Sequence, residues 1–478
     1  DKYVLSLSIT SALYIRTEHV MQLTRQHFIL IGPIVAIAFY EFLRFSQVEY
    51  LPAVTAAITA LTVIWWVSEA VPIPATSLVP FALLPLFGVL DHGTAASALG
   101  SHVILLLMGA FMLSTALERS GAHERLAVYM VRMVGVSSGR RLVMGFSLAT
   151  GFLSMWISNT ATVLIILPMA LAVLSHVDNP KLKVALILGI AYSASVGGLG
   201  TLIGTPPNVI FAGIYQQQTG QEFGFLAWMK VGVPVVLISL PIIALWLTRN
   251  VTLEHDISLP KLGAWRKEES RTLWVFGVTA LAWITRNEPF GGWSGWFDIP
   301  YAGDSTIALT AAVAMFVVPN GKGSRLLDWE TAKNIPWGVL LLFAGGIALA
   351  KGFSASGLSQ ILGQWLLSLT SLPLVMVILA ICLIVTYLTE ITSNTATATL
   401  LMPILAVAAV SSGNDPALFM IPAAMAASCA FMLPVATAPN AIVYGSGEVS
   451  INDMVKEGAI LSFLISCIVG LLCYALLR

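Results

Sequence analysis

Two identical polar pentapeptides, Ser-Asn-Thr-Ala-Thr, lie within the most apolar parts of the sequence, at residues 158–162 and 393–397. Their side chains carry neutral oxygens that can coordinate a hard cation, and N–H or O–H groups that can bind an anion. Ser, Asn and Thr are also preferred N-cap residues, so helix capping without a ligand is the alternative interpretation. Because the motif occurs twice, we favour a binding site over capping alone.

Two further apolar stretches are interrupted by helix-breaking residues. GTPPN occupies 204–208 within the stretch 183–215, and ATAPN occupies 436–440 within the stretch 417–444. Glycine and proline break helices and expose backbone N–H and C=O groups. Helix N-termini and hydroxyl donors suit an anion, whereas exposed carbonyls and side-chain oxygens suit sodium. Kinked packing helices are the alternative, but each half of the chain combines both kinds of interruption, which favours a binding site.

These interrupted segments contain almost no basic side chain, so an anion bound there needs its charge offset by helix dipoles and by co-bound cations. This favours cation-coupled anion transport, with sodium preferred to protons because the oxygens are mostly non-titratable. One carboxylate stands apart: Glu390 lies four residues before Asn394 and is matched by Met155 in the first motif. We interpret Glu390 as hydrogen-bonded within its hairpin or facing an aqueous vestibule, and a proton-coupling role is the alternative.

The composition is that of a polytopic helical membrane protein. Of the 478 residues, 57% are hydrophobic and 10% are charged, against about 25% charged in a typical soluble domain. The net charge of zero gives no indication of a nucleic-acid partner. The four cysteines lie in apolar segments without metal-like spacing, so we expect them to be packing residues: Cys382, Cys429, Cys467 and Cys473. The first residues lack a signal-peptide cleavage site, and we interpret them as a surface segment.

Apolar runs close to the length of ~20 residues that crosses a bilayer recur along the chain. They predict eleven full spans, near 28–43, 52–69, 75–90, 100–117, 183–215, 231–248, 271–286, 303–318, 335–352, 417–444 and 458–477. The stretches 142–174 and 374–410 are split by the pentapeptides, and the limbs of the first are too short for full crossings. We therefore predict a re-entrant hairpin at each stretch.

The basic residues predict an orientation. With the N-terminus in the cytoplasm, 19 of the 24 Lys and Arg residues fall in predicted cytoplasmic segments. The other five are Arg44, Lys230, Arg286, Lys351 and Arg478. This is a strong positive-inside bias. Eleven spans then leave the C-terminus outside.

The chain also carries an internal repeat. Residues 103–121 align without a gap on 339–357, and the pentapeptides and the GTPPN and ATAPN breaks match in the same order. After one leading span, each half holds five spans and a hairpin, so the two halves enter the membrane in opposite orientations. Such inverted repeats place the binding site near the membrane midplane, between the repeats. The predicted parts are a surface segment at 1–27, a leading transmembrane helix at 28–51, a first repeat at 52–250 with its hairpin at 140–175, a cytoplasmic linker at 251–270, and a second repeat at 271–478 with its hairpin at 373–410.

Taken with the stretch WWVSEAVPIPATSLVPFALLP at 65–85, these motifs resemble the divalent-anion:sodium symporter family, and most of all its bacterial sodium-dependent dicarboxylate transporters. The resemblance covers the chain from about residue 28 onward. It implies a homodimer in the bacterial inner membrane, with a scaffold domain and a mobile transport domain that work by an elevator motion. It also implies sodium symport with substrates such as succinate, malate and fumarate.

The resemblance also implies site residues. The first sodium site would consist of Ser154, Ser158, Asn159 and Gly204, and the second of Thr389, Thr392, Asn394 and Ala436. The substrate carboxylates would meet Ser158, Asn159, Thr160 and Thr205 from one half and Ser393, Asn394, Thr395 and Thr437 from the other. Ala438 departs from the pattern, since the first half has Pro206 at the matched position, and this leaves the substrate size open.

Antiport, channel activity and catalysis are the alternatives to symport. A sodium-independent antiporter of di- or tricarboxylates remains the main alternative within transport. A channel is a different class of protein, and an intramembrane enzyme is disfavoured because no Ser–His or Asp–Asp pair is visible at membrane depth. We therefore expect a transporter rather than an enzyme.

Overall fold

A computed structural model describes residues 27–175, 177, 179–251, 263–367 and 373–478, without the side chains of 363–367. Nearly all of the predicted surface segment and much of the predicted linker lie outside the described residues. The described residues form helices and connecting turns but no β-strand. This confirms the predicted all-α class.

The helices follow one another in this order: α1 (His27–Phe45), α2 (Tyr50–Ser68), α3 (Ile73–Thr76), α4 (Val79–Leu86), α5 (His92–Leu99), α6 (His102–Ser120), α7 (Ala122–Val134), α8 (Gly139–Ser154), α9 (Asn159–Leu174), α10 (Pro180–Gly197), a 3₁₀ turn (Gly198–Gly200), α11 (Pro206–Thr219), α12 (Phe225–Leu247), α13 (Lys267–Ile284), α14 (Gly292–Trp296), α15 (Asp304–Val317), α16 (Trp329–Ala332), α17 (Trp337–Ser356), α18 (Leu358–Leu367), α19 (Leu374–Thr389), α20 (Asn394–Ser411), α21 (Ala417–Ala426), α22 (Ala438–Gly445) and α23 (Ile451–Leu477). The order from α6 to α12 recurs from α17 to α23, as the internal repeat predicts.

Eight helical segments of the described chain are long and apolar enough to cross a membrane: His27–Phe45, Tyr50–Ser68, His92–Ser120, Pro180–Gly200, Phe225–Leu247, Trp337–Ser356, Asn394–Ser411 and Ile451–Leu477. The protein is therefore a multi-pass membrane protein. Other apolar helices are shorter, and the predicted span at 75–90 consists of the short helices α3 and α4. The eleven crossings and the opposite orientation of the halves stay predictions.

The described part of the chain divides into two compact units, of which the first comprises residues 27–99 and 341–361. Within this unit, Trp66 is buried against the turn after α3, and its indole N–H donates to Ser77 Oγ at 3.1 Å. Gly345 of α17 lies so close to this turn that a Cβ atom there would stand 2.7 Å from Ser77 O. The close approach of the two helices therefore requires glycine at this position.

The second unit comprises the described residues of 100–340 and 362–478 and contains both pentapeptides and both breaks. Gly109 of α6, which the repeat matches to Gly345, lies against the backbone of Ala308 in α15, where a Cβ atom would stand 2.7 Å from Ala308 C. The matched glycines thus serve the same kind of close helix contact in the two halves. Around the hairpins, α8 packs against α10 and α12, and α19 packs against α21 and α23.

Ion pairs within the second unit agree with the sides assigned from the charge pattern. Each pair joins residues from distant parts of the sequence that were assigned to one side of the membrane. On the predicted cytoplasmic side these are Arg119–Asp328 at 2.6 Å, Arg125–Glu269 at 3.2 Å, Lys183–Glu448 at 3.8 Å and Arg249–Glu457 at 2.7 Å, and on the predicted outer side Lys230–Glu288 at 2.7 Å and Arg286–Glu222 at 3.1 Å. No such pair could form across a bilayer, so the two residues of each pair lie on the same side, and which side is the cytoplasm stays a prediction.

Candidate cation and anion site

The first pentapeptide forms the tip of a helical hairpin. Helix α8 ends at Ser154, and α9 begins at Asn159 with Ser158 as its N-cap. The hydroxyl oxygen of Ser158 accepts a hydrogen bond from Ala161 N at 3.2 Å. Ser158 therefore has the capping role that was the alternative to ligand binding, and its side chain remains exposed.

Beneath this tip lies a cluster of oxygens around Asn159. The fully buried Ser154 Oγ lies 2.6 Å from Asn159 Oδ1 and 2.7 Å from Ala194 O. The same carboxamide position lies 3.2 Å from Ala194 O and 3.3 Å from Gly204 O. A single hydroxyl proton cannot serve all of these acceptors. Either the amide nitrogen turns to this position and its two hydrogens are shared among the three oxygens, or the amide oxygen occupies it and a cation compensates four converging oxygens.

Glycine makes this cluster possible. A Cβ atom on Gly198 would stand 2.7 Å from Asn159 Oδ1, and one on Gly204 would stand 2.4 Å from Gly198 O. Both positions therefore exclude larger residues. The resemblance implied Gly204, but sequence reasoning assigned no role to Gly198 or to the carbonyl of Ala194. The GGLG motif was a signal for Gly198, whereas a backbone carbonyl has no side-chain signature.

The second pentapeptide repeats this arrangement. Helix α19 ends at Thr389 and α20 begins at Asn394. The buried Thr389 Oγ1 lies 2.6 Å from Asn394 Oδ1 and 3.1 Å from Ala427 O. A hydroxyl oxygen, an Asn carboxamide and a backbone carbonyl thus converge in both halves.

The remaining predicted sodium ligands differ in their surroundings. The hydroxyl of Thr392 is hydrogen-bonded within its own hairpin, to Leu388 O at 2.8 Å and to Thr397 Oγ1 at 2.7 Å. Among the described residues, no hydrogen bond joins this hydroxyl to Asn394. Ala436 is buried in the break that follows α21, where its backbone N–H donates to Leu433 O at 3.2 Å.

The predicted substrate residues lie at four helix N-termini. Thr160 and Thr395 stand in the first turns of α9 and α20, whose N-caps are Ser158 and Ser393. Ser393, unlike Ser158, makes no capping bond with its side chain. Thr205 is the N-cap of α11, and Thr437 is the N-cap of α22. These N-termini carry partial positive charge, which suits an anion.

Contacts between the halves bring these N-termini into one region. Helix α11 packs against α20 and α21, whereas α22 packs against α9 and α10. Thr205 Oγ1 and Ser428 Oγ lie 3.2 Å apart, so the break of the first half touches the break of the second. The hairpins join this region through the contacts of Asn159 with Gly204 and of Thr389 with Ala427.

Glu390 is hydrogen-bonded to the second break, residues 427–440. Its carboxylate is buried and accepts hydrogen bonds from the backbone N–H groups of Phe431 at 2.8 Å, Met432 at 3.0 Å and Leu433 at 3.2 Å. Ser462 Oγ donates to it at 3.3 Å. Glu390 is thus hydrogen-bonded, but the prediction that its partners lie within the hairpin is wrong, because they lie in the adjacent break and in α23.

The first half holds its break without a carboxylate. Met155 stands at the position of Glu390, and the backbone at 198–200 forms a 3₁₀ turn. The indole N–H of Trp228 donates to Leu199 O at 2.8 Å, and Thr201 Oγ1 donates to Met155 O at 2.5 Å. The two halves therefore share their converging oxygens but differ in how each break is held.

Comparisons with known proteins agree with this architecture. A family model described as "Citrate transporter" matches residues 63–414. The sodium-dependent dicarboxylate transporter SdcS of Staphylococcus saprophyticus is 42% identical over 446 residues, which cover 88% of this chain and 85% of that protein. The protein of the same name from Staphylococcus aureus is 40% identical over 472 residues, covering 93% and 90%. These relatives are transporters, which confirms the expectation that the chain is not an enzyme.

One solved structure supports the fold alone. The YdaH transporter of Alcanivorax borkumensis, described as having an unusual topology, matches with a TM-score of 0.54 at 17% sequence identity. The match covers 79% of this chain and 86% of that one.

Proposed function

Since the chain belongs to the divalent-anion:sodium symporter family, we propose that it carries C4-dicarboxylates such as succinate, malate and fumarate by sodium-coupled symport. The observation that carries the proposal is the matched pair of oxygen clusters, Ser154–Asn159–Ala194 and Thr389–Asn394–Ala427. Hydroxyl, amide and carbonyl oxygens suit sodium, a hard cation, and do not titrate near neutral pH.

Charge balance gives the reason for coupling. The hairpins at 142–174 and 374–411 and the breaks at 198–208 and 427–440 contain no Lys or Arg. A dicarboxylate bound among them has only helix N-termini, hydroxyl groups and amide groups to offset its two charges. Sodium ions bound at the neighbouring clusters supply the missing positive charge. Asn159 and Asn394 belong to both kinds of site, so each can link cation binding to substrate binding.

The substrate's two carboxylates match the two halves of the site. In our proposal Ser158, Asn159 and Thr160 bind one carboxylate, and Ser393, Asn394 and Thr395 bind the other. Thr205 and Thr437 complete the pocket from the N-termini of α11 and α22. Ser154 and Gly204 serve the first cation, and Thr389, Thr392 and Ala436 serve the second.

The family resemblance supports a homodimer in the bacterial inner membrane that moves its substrate by an elevator motion. The charge pattern supports a cytoplasmic N-terminus and an outer C-terminus. The domain boundaries given above belong to the same proposal.

Uptake into proteoliposomes tests the proposed function. With an inward sodium gradient, we expect labelled succinate to accumulate in vesicles that contain no dicarboxylate. Replacement of sodium by choline should abolish this uptake, and excess malate or fumarate should compete with it. Uptake that requires internal dicarboxylate and ignores sodium would refute symport and identify an antiporter.

A further inference from the structure

Two buried asparagines, Asn208 and Asn440, occupy the same place in the two halves. Each stands three residues after the N-cap of the helix that follows a break, α11 or α22, and each is fully buried. Asn208 Nδ2 donates to Gly198 O at 2.9 Å and to Thr201 O at 2.8 Å. Each carboxamide thus reaches back across its own break.

The second half repeats these bonds with the same sequence spacing. Asn440 Nδ2 donates to Ala430 O at 3.1 Å and to Leu433 O at 3.0 Å, which lie ten and seven residues before it, as in the first half. Two amide hydrogens therefore fix two carbonyls of each break. The two halves hold their breaks differently elsewhere, yet they keep this arrangement.

The fixed carbonyls touch the proposed cation ligands. Thr201 O accepts from Gly204 N at 3.4 Å, and Leu433 O accepts from Ala436 N at 3.2 Å. Gly198 O also lies against Gly204, where a Cβ atom would stand 2.4 Å from it. In each half, the asparagine thus determines where the backbone that carries a proposed sodium ligand can lie.

The acceptor side of each carboxamide has no partner. Asn208 Oδ1 and Asn440 Oδ1 are both buried without a hydrogen bond among the described residues. A buried acceptor without a partner is unfavourable. Both halves retain one, although a smaller apolar residue would avoid it. We therefore attribute the role of each side chain to its amide N–H groups, which bind the backbone carbonyls.

We propose that Asn208 and Asn440 are positioning residues of the two cation sites. Their amide groups hold the breaks so that the carbonyls of Gly204 and Ala436 face the sodium ions. This inference rests on the proposed sodium symport. Loss of the amide lets the carbonyls rotate, which weakens sodium binding while leaving the substrate's own ligands in place.

The test compares Asn208→Ala and Asn440→Ala with the parent in sodium-driven succinate uptake. The sodium concentration at half-maximal uptake should rise by about tenfold in each variant, as expected for the loss of two hydrogen bonds. The KM for succinate, measured at saturating sodium, should change by less than about twofold. High sodium should restore the maximal rate. Asn208→Ser and Asn440→Ser, which keep a single donor, should give smaller rises and serve if the alanine variants do not fold.

Matched controls come from the same two elements. Tyr215→Phe removes a 3.4 Å bond from the far end of α11 to Asp415, and Ser446→Ala removes a 2.6 Å bond at the end of α22. Both should keep the parent's sodium dependence. A sodium dependence unchanged in the asparagine variants, or an equal rise in the succinate KM, would overturn the positioning role. A parent without sodium-driven uptake would instead refute the proposed function.

Discussion

Replacement of Glu390 by Gln tests whether its carboxylate is structural or couples transport to protons. The Glu390→Gln side chain keeps the shape and one acceptor oxygen but places an NH₂ group where the second oxygen stood. If its oxygen keeps the bonds from Phe431 N and Met432 N, its NH₂ group faces Leu433 N, which now lies 3.2 Å from Glu390 Oε2. A backbone N–H group then loses its partner in a buried place.

The size of the effect follows from that loss. A buried donor without a partner costs about 1–3 kcal/mol. If the whole cost appears as disorder of the break in the binding-competent state, sodium binding at the second cluster weakens, and the apparent affinity for succinate at subsaturating sodium falls by roughly 5–150-fold. We expect the maximal sodium-dependent uptake to persist at saturating substrate, because Glu390 contacts backbone N–H groups of the break rather than the oxygen clusters.

The assay measures succinate uptake driven by a sodium gradient, and then by a proton gradient without sodium, for the parent and for Glu390→Gln. Ser462→Ala is the matched control, because it removes only the 3.3 Å bond from Ser462 Oγ and should alter the KM slightly. Our reasoning fails if the parent takes up succinate in response to protons alone and Glu390→Gln does not. Glu390 would then be the coupling residue and the sodium interpretation would be wrong.

The remaining predictions concern the two oxygen clusters and the orientation of the halves. Asn159→Ala or Asn394→Ala should abolish sodium-driven uptake in protein that still inserts and folds, and near-normal uptake by either variant at matched expression would contradict the site. Gly198→Ala should also abolish it, because the new Cβ atom would stand 2.7 Å from Asn159 Oδ1; a normal sodium dependence would show that this contact is not needed. Cysteines at Gln221 and Glu448, which follow the matched helices α11 and α22, should react with membrane-impermeant thiol reagents only from outside and only from the cytoplasm, respectively. Reaction of both from the same side would rule out inverted repeats.

Much of the architecture could be predicted because it depends on local chemistry. The helix break before Pro206 was visible as glycine and proline inside an apolar run, and α11 does begin at Pro206. The family resemblance placed a hydroxyl and the Asn five residues later in one site in each half, and Ser154 and Thr389 both contact that Asn. The predicted span at 75–90 was less successful, since periodicity does not reveal that it consists of two short helices.

Other parts of the site depend on contacts that no local pattern reveals. The carbonyl of Ala194 faces Ser154 across 40 residues of sequence, and any residue type could supply it. Glu390 binds backbone N–H groups 41 to 43 residues later, which have no side-chain signature either. The family resemblance implied that Thr392 is a sodium ligand. A hydroxyl in a helical turn can instead bond to the carbonyl four residues earlier, and Thr392 makes such a bond to Leu388 O.

The different ways of holding the two breaks have a consequence for which side chains such a break can use. Both breaks are fastened by an asparagine that donates to the carbonyls ten and seven residues before it, Asn208 in the first half and Asn440 in the second. Each half therefore shows one set of side chains that is compatible with this arrangement. At Met155 and Glu390 the sets differ, since a carboxylate binds the second break whereas Trp228 and Thr201 hold the first. A carboxylate at the hairpin tip is therefore one of at least two ways to hold a break of this kind.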